Sequence, residues 1–180
     1  MDDVTPPPDA GAWPAARLGN VARLHALAAG LPGAALAERV IDAPFEDLWA
    51  FVGDLEVSVP TFDRSVARVR IVERAGEHLR MRTWAPGIPV PLPMDAVLRP
   101  GWCVMTSRPT FHVVVMAAEP TPDGRTRYAH LEATSVAGPP VVRALLAPVR
   151  ALTHRYLARH HVPGDIAGIE RHLAGGRPPP

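Results

Sequence analysis

His112 follows Ser107 by five residues in the run Trp102-Cys103-Val104-Met105-Thr106-Ser107-Arg108-Pro109-Thr110-Phe111-His112. A two-residue turn at Pro109-Thr110 pairs Ser107 with His112 across a hairpin, on the same face as Thr83 of an earlier segment. A histidine so placed suits general acid or base work on an enolisable molecule, because its proton comes off near neutral pH. No carboxylate is expected to orient the ring, so the same histidine fits a rim position satisfied by water or backbone better. Ser107 has no G-x-S-x-G elbow and is not expected to act as a nucleophile. His130 and Glu132 are spaced as an acid and a base on one strand, yet a four-residue turn over Thr121 to Gly124 directs both to the opposite face. A different turn length reverses that assignment. Cys103 reads as a buried, reduced, small hydrophobe with nothing basic beside it. His154, His160 and His161 show neither the i, i+4 partners nor the neighbouring acids of a helical zinc site, so no metal is expected. No cofactor is implied.

Composition narrows the chemistry further. The 180 residues include 19 arginines and no lysine, which excludes Schiff-base chemistry and a P-loop lysine. The net charge of +1 provides no global attraction for nucleic acid or an acidic membrane. Arg68, Arg70, Arg80 and Arg82 form a local patch, but without the interleaved aromatics of a nucleic-acid platform. A single cysteine rules out an internal disulfide. The acidic, proline-bearing start Met1 to Pro8 does not resemble a secretion signal, and no apolar run approaches the roughly 20 residues of a membrane span. A cytoplasmic protein without a membrane span is expected.

The elements that must hold these residues follow from periodicity. Residues 1–16 and 175–180 are proline-rich tails expected to be disordered. Leu18, Val21, Leu24 and Ala28 mark an amphipathic leader helix within 17–33. A strand near Ala37 to Ala43 runs into Pro44, which opens a helix carrying Leu48, Trp49 and Val52. Between Val66 and Val136 the period is that of β-strands, punctuated by hairpin signals. From Pro139 the helical period returns in Val142, Leu145, Leu146, Val149, Leu152 and Tyr156, with a kink expected at Pro148. A short helix over 163–174 closes the chain.

Hairpin arithmetic sorts the strand residues into two faces. A three-residue loop at Arg74-Ala75-Gly76 pairs Val69 with Met81 and Arg70 with Arg80; a turn at Pro100-Gly101 pairs Leu98 with Cys103 and Ala96 with Met105. The turn at Pro109 pairs Met105 with Val114, and the Thr121–Gly124 loop pairs Val114 with Leu131 and Met116 with Ala129. One face then collects Met81, Thr83, Met94, Leu98, Met105, Ser107, His112, Val114, Met116 and Leu131. With Leu145, Val149, Leu152 and Tyr156 of the covering helix, these are the expected ligand-binding residues. Four methionines beside small side chains fill space poorly, which suits either an adaptable cavity or an ordinary core.

The run Val40-Ile41-Asp42-Ala43-Pro44-Phe45-Glu46-Asp47-Leu48-Trp49-Ala50-Phe51-Val52-Gly53-Asp54, continued by Pro60-Thr61-Phe62-Asp63, resembles the opening of the START-like, or SRPBCC, superfamily. The resemblance covers about residues 36 to 161. It implies an α+β helix-grip fold over 34–162, in which a curved antiparallel sheet of about seven strands wraps a long C-terminal helix around an apolar cavity. The proline-rich bridge Pro86 to Pro93 is then expected at the cavity rim, and the leader helix as a cap or partner surface. The implied function is binding of a lipid, polyketide or related metabolite. The superfamily's polyketide cyclases and aromatases imply an alternative, an enzyme using the same cavity with His112 moving a proton. A protein-interaction module using the arginine-rich exterior is the third reading.

Overall fold

The computed structural model describes residues 18–109, 111–134 and 147–175. The expected tail 1–16, all of the expected tail 175–180 but Gly175, which ends the last helix, and Val142, Leu145 and Leu146 lie outside the described residues, and so does the carbonyl at residue 144 on which the Pro148 kink depends. Helix α1 (Asn20–Gly30) leads into strand β1 (Ala34–Ile41), which starts three residues before the expected Ala37. Pro44 caps α2 (Phe45–Val52), with Glu46 and Asp47 in the first turn where the helix dipole favours acid. Helix α3 (Leu55–Phe62) follows. Six further strands, β2 (Arg68–Ala75), β3 (His78–Trp84), β4 (Leu92–Arg99), β5 (Trp102–Ser107), β6 (His112–Pro120) and β7 (Thr126–Thr134), complete one antiparallel sheet ordered β1-β7-β6-β5-β4-β3-β2. This is the α+β helix-grip architecture.

The ladders test each expected register. Leu98 faces Cys103, Ala96 faces Met105 and Met105 faces Val114, as the turns at Pro100-Gly101 and Pro109 require. Gly101 is fixed there by a positive φ of 71° and by the Ala118 carbonyl, which would stand 2.6 Å from a Cβ. The first hairpin turns two residues later than expected, at Gly76-Glu77, and a bulge between Ile71 and Glu73 absorbs the difference. Val69 therefore faces Thr83, not Met81, but a shift of two leaves every side chain on its expected face. It also turns Arg80 towards Glu73, with which it makes a 2.7 Å ion pair, in place of the Arg70 contact. The last hairpin departs by an odd number. Pro120 pairs with Thr126 around a five-residue loop, so Val114 faces Glu132 and Met116 faces His130. Every β7 side chain is thereby reversed.

Both faces of the sheet are covered. On the outer face α1 lays Val21 and Leu24 over Trp102, Val115, Ala117, Ala129, Leu131 and Ala133. The leader helix thus covers the side of the sheet away from the cavity. On the inner face α2, α3 and the C-terminal helix enclose a second cluster that includes all of Met81, Met94, Met105 and Met116.

The C-terminal helix runs unbroken through α4 (Ala147–Tyr156), a π-helical turn (Leu157–His161) and α5 (Val162–Gly175). The segment expected as a separate helix over 163–174 is the second half of this rod. Pro163 cannot donate to the Arg159 carbonyl, and the wider turn just before it accommodates that loss. The buried side of the rod is Leu157, Val162, Ile166 and Ile169. Gly168 permits the close crossing of α3, since a Cβ there would meet Phe62 Cα at 3.0 Å.

Candidate functional site

A cavity of about 430 Å³ opens between the inner face of β2–β7 and α3. Its walls are mainly apolar: Met81, Met94, Met105, Val69, Val114 and Leu92 from the sheet, and Val59 and Phe62 from α3. Trp84 at the end of β3 and Ala85 after it contribute part of the lining, and so does the proline-rich bridge at the mouth through Ile88 and Val90, both exposed. The volume falls within the range of roughly 300–1,000 Å³ over which small-molecule pockets occur.

The polar lining comes from His112, His130, Glu132 and Asp63, with Thr83 and Ser65. His112 and Val114 lie on the same side of β6, and Glu132 stands directly opposite Val114. His112 and Glu132 are therefore diagonal neighbours on the inner face, within reach across the ladder. His130 is fully buried, its ring edge-on to Phe62 and its Nδ1 3.4 Å from the Tyr128 hydroxyl. Its Nε2 lies 3.4 Å from Glu132 Oε1 yet has no hydrogen-bond partner among the described residues. Asp63, just past the end of α3, holds Ser65 through a 2.7 Å bond from that residue's N–H.

Behind this wall the C-terminal helix brings His161 and Asp165. His161 Nε2 is 3.3 Å from Glu132 Oε1 and 3.7 Å from both Asp63 Oδ1 and Asp165 Oδ2. His161 and Asp165 are an i, i+4 pair, so the absence of an acidic neighbour inferred from sequence is corrected here. Burial alone would raise the Glu132 carboxyl, but His130 and His161 outweigh it and hold that group well below the usual carboxylate range. Glu132, against the opposing effect of burial, raises His161 to about 9. Burial pushes Asp165 up to about 7, and lowers His112 from its ordinary value.

Of the expected ligand-binding residues, Met81, Thr83, Met94, Met105, His112 and Val114 line the cavity. Met116 is packed in the core beneath it, and Leu98 packs against that core half-buried. Leu131 is corrected to the outer face under α1, because the longer β6–β7 loop reverses β7. Val149, Leu152 and Tyr156 are 58%, 69% and 58% exposed and do not line the cavity; among the described residues of the rod, Leu157 is the first buried apolar one. Ser107 has a turn-building role: its hydroxyl donates to the Pro109 carbonyl and accepts the N–H groups of Phe111 and His112. Thr83 donates to the Leu92 carbonyl. Cys103 is buried and burial pushes its thiol up to about 12, in keeping with an inert side chain.

His130 and Glu132 are the polar lining residues that the expected registers turned outward. The signal that locates them is the five-residue span from Thr121 to Arg125, closed by the Thr121 N–H bond to the Arg125 carbonyl. Asp165 is signalled only by its i, i+4 spacing from His161, and Asp63 by nothing in the strand pattern.

No protein-family model matches the sequence, and no curated protein does. Solved structures do resemble it. TTHA0849 from Thermus thermophilus superposes with a TM-score of 0.58 at 18% identity, over 81% of this chain and 99% of that one. Zhui aromatase/cyclase from Streptomyces sp. R1128 gives 0.59 at 13% identity, over 78% and 93%. A START superfamily protein from Mycobacterium smegmatis gives 0.50 at 14% identity, over 80% and 99%. At these identities the likeness is one of fold, and that fold is START-like.

Proposed function

From this START-like fold with a hollow inner face, we propose that the chain binds an apolar small molecule bearing oxygen, of the lipid or polyketide kind, in the cavity. The observation that carries this reading is the contrast within the lining: methionine, valine and leucine walls around His112, His130, Glu132 and Asp63. An apolar body fits the former, and a carbonyl or hydroxyl fits the latter. The His130 Nε2 atom, buried without a hydrogen-bond partner among the described residues, supports a ligand oxygen at that point, since an unsatisfied buried polar atom costs roughly 1–3 kcal/mol.

A second reading is favoured by the position of His112 beside Glu132. The ring lines the cavity and burial keeps it neutral, so it can take a proton from carbon next to a carbonyl and return it to a departing hydroxyl. Such proton movement closes and dehydrates rings in a folded polyketide, and the likeness to an aromatase/cyclase supports considering it. Native mass spectrometry with a panel of lipids and poly-β-keto analogues tests both readings. Retention of an apolar ligand supports binding; turnover of the poly-β-keto analogue that His112→Gln abolishes supports the enzyme. A folded protein that retains nothing from either class overturns the proposal.

A further inference from the structure

We propose that Asp63, Glu132, His161 and Asp165 bind a divalent first-row transition cation, with zinc the best fit. Their donor atoms all lie within 4.8 Å of one another. His161 Nε2 is 3.3, 3.7 and 3.7 Å from the three carboxylate oxygens. Four donors around a tetrahedral ion at about 2.0–2.1 Å are separated by roughly 3.3–3.4 Å; the three distances from His161 Nε2 are within a few tenths of an ångström of that, and the carboxylate oxygens, within 4.8 Å of one another, would draw together on the ion. The imidazole favours a transition cation over calcium or magnesium, which prefer oxygen donors.

A second observation points to an occupant. The Asp165 side chain is 5% exposed, and its Oδ2 atom is aimed at His161 yet has no hydrogen-bond partner among the described residues. The neighbouring His130 Nε2 is likewise unpartnered, 3.4 Å from the Glu132 oxygen that faces the cluster. Three carboxylates turned into one buried spot against a single imidazole leave negative charge that a divalent ion offsets directly. The donors come from separate elements: the end of α3, strand β7, the π-turn and the first turn of α5. A cation there would tie the C-terminal helix to the sheet and to α3. The site borders the cavity through Asp63 and Glu132, but it does not depend on the ligand reading.

The test titrates metal-stripped full-length protein with Zn²⁺ alone, by calorimetry, with elemental analysis after gel filtration. One zinc per chain is expected, with a raised Tm. Asp165→Asn and Glu132→Gln should each weaken binding at least tenfold, while His154→Gln, at an exposed histidine elsewhere, should leave it unchanged. Failure of folded wild-type protein to retain zinc, or stoichiometric zinc at unchanged affinity in both site variants, overturns the proposal. Should neither variant fold, Co²⁺ in the wild type decides. Paramagnetic NMR shifts centred on His161 and Glu132 support the site, and shifts centred elsewhere overturn it. Apolar-ligand retention is measured separately on metal-stripped protein, so either reading can fail while the other stands.

Discussion

Met105 on β5 stands directly opposite Val114 on β6, and both side chains reach the cavity. A larger side chain at Met105 is therefore expected to extend into that space. Met105→Trp should cut apolar-ligand retention at least tenfold while changing stability by less than about 1 kcal/mol, whereas overpacking a filled core costs about 1–3 kcal/mol. Chemical denaturation alongside native mass spectrometry separates the two. A loss of several kcal/mol would mean that the methionines plug a solid core.

Leu24 of α1 is fully buried against the outer-face cluster around Trp102 and Leu131. Leu24→Ala should destabilise the protein by roughly 2–5 kcal/mol, the range for a buried leucine whose space cannot collapse. Ligand retention in the folded fraction should be unchanged, because α1 lies across the sheet from the cavity. A stability change below about 0.5 kcal/mol, the scale of an ordinary surface substitution, would show that α1 does not cover the sheet in solution.

The coverage by α1 also explains which parts of the site the sequence could reveal. On β3 to β5 the inner-face residues Met81, Met94 and Met105 alternate with outward polar or half-buried ones, so a strand's face survives even the two-residue error at the first hairpin. On β7 that contrast fails. Ala129, Leu131 and Ala133 are buried under α1, while His130 and Glu132 are buried on the cavity side. Alternation places the apolar set inward by default, and only the loop length says otherwise. The C-terminal helix misleads differently. Val149, Leu152 and Tyr156 form a regular stripe but are exposed, and the π-turn precedes the buried series Val162, Ile166 and Ile169. His161 and Asp165 are a visible i, i+4 pair. Their approach to Glu132 and Asp63, far away in sequence, is a tertiary fact that periodicity does not encode.

Burial of His112 adds one step to the acid side of the stability profile. In the unfolded chain the ring titrates near 6.5. In the folded chain burial lowers that value, with His161 and His130 acting in the same direction and Glu132 and Asp63 opposing. Above about pH 6.5 the ring is neutral in both states and stability is undiminished. As the pH falls below that point, the unfolded chain takes up a proton that the buried ring resists, so stability declines until the folded value is passed. The stability difference between His112→Gln and wild type should therefore be constant above pH 7 and shift in favour of the variant between pH 6.5 and 5. Urea titrations of the metal-stripped proteins across that range provide the measurement. Curves that stay parallel down to pH 5 would mean that the ring is solvated in the folded protein, and the case for a neutral base in the cavity at physiological pH would go with it.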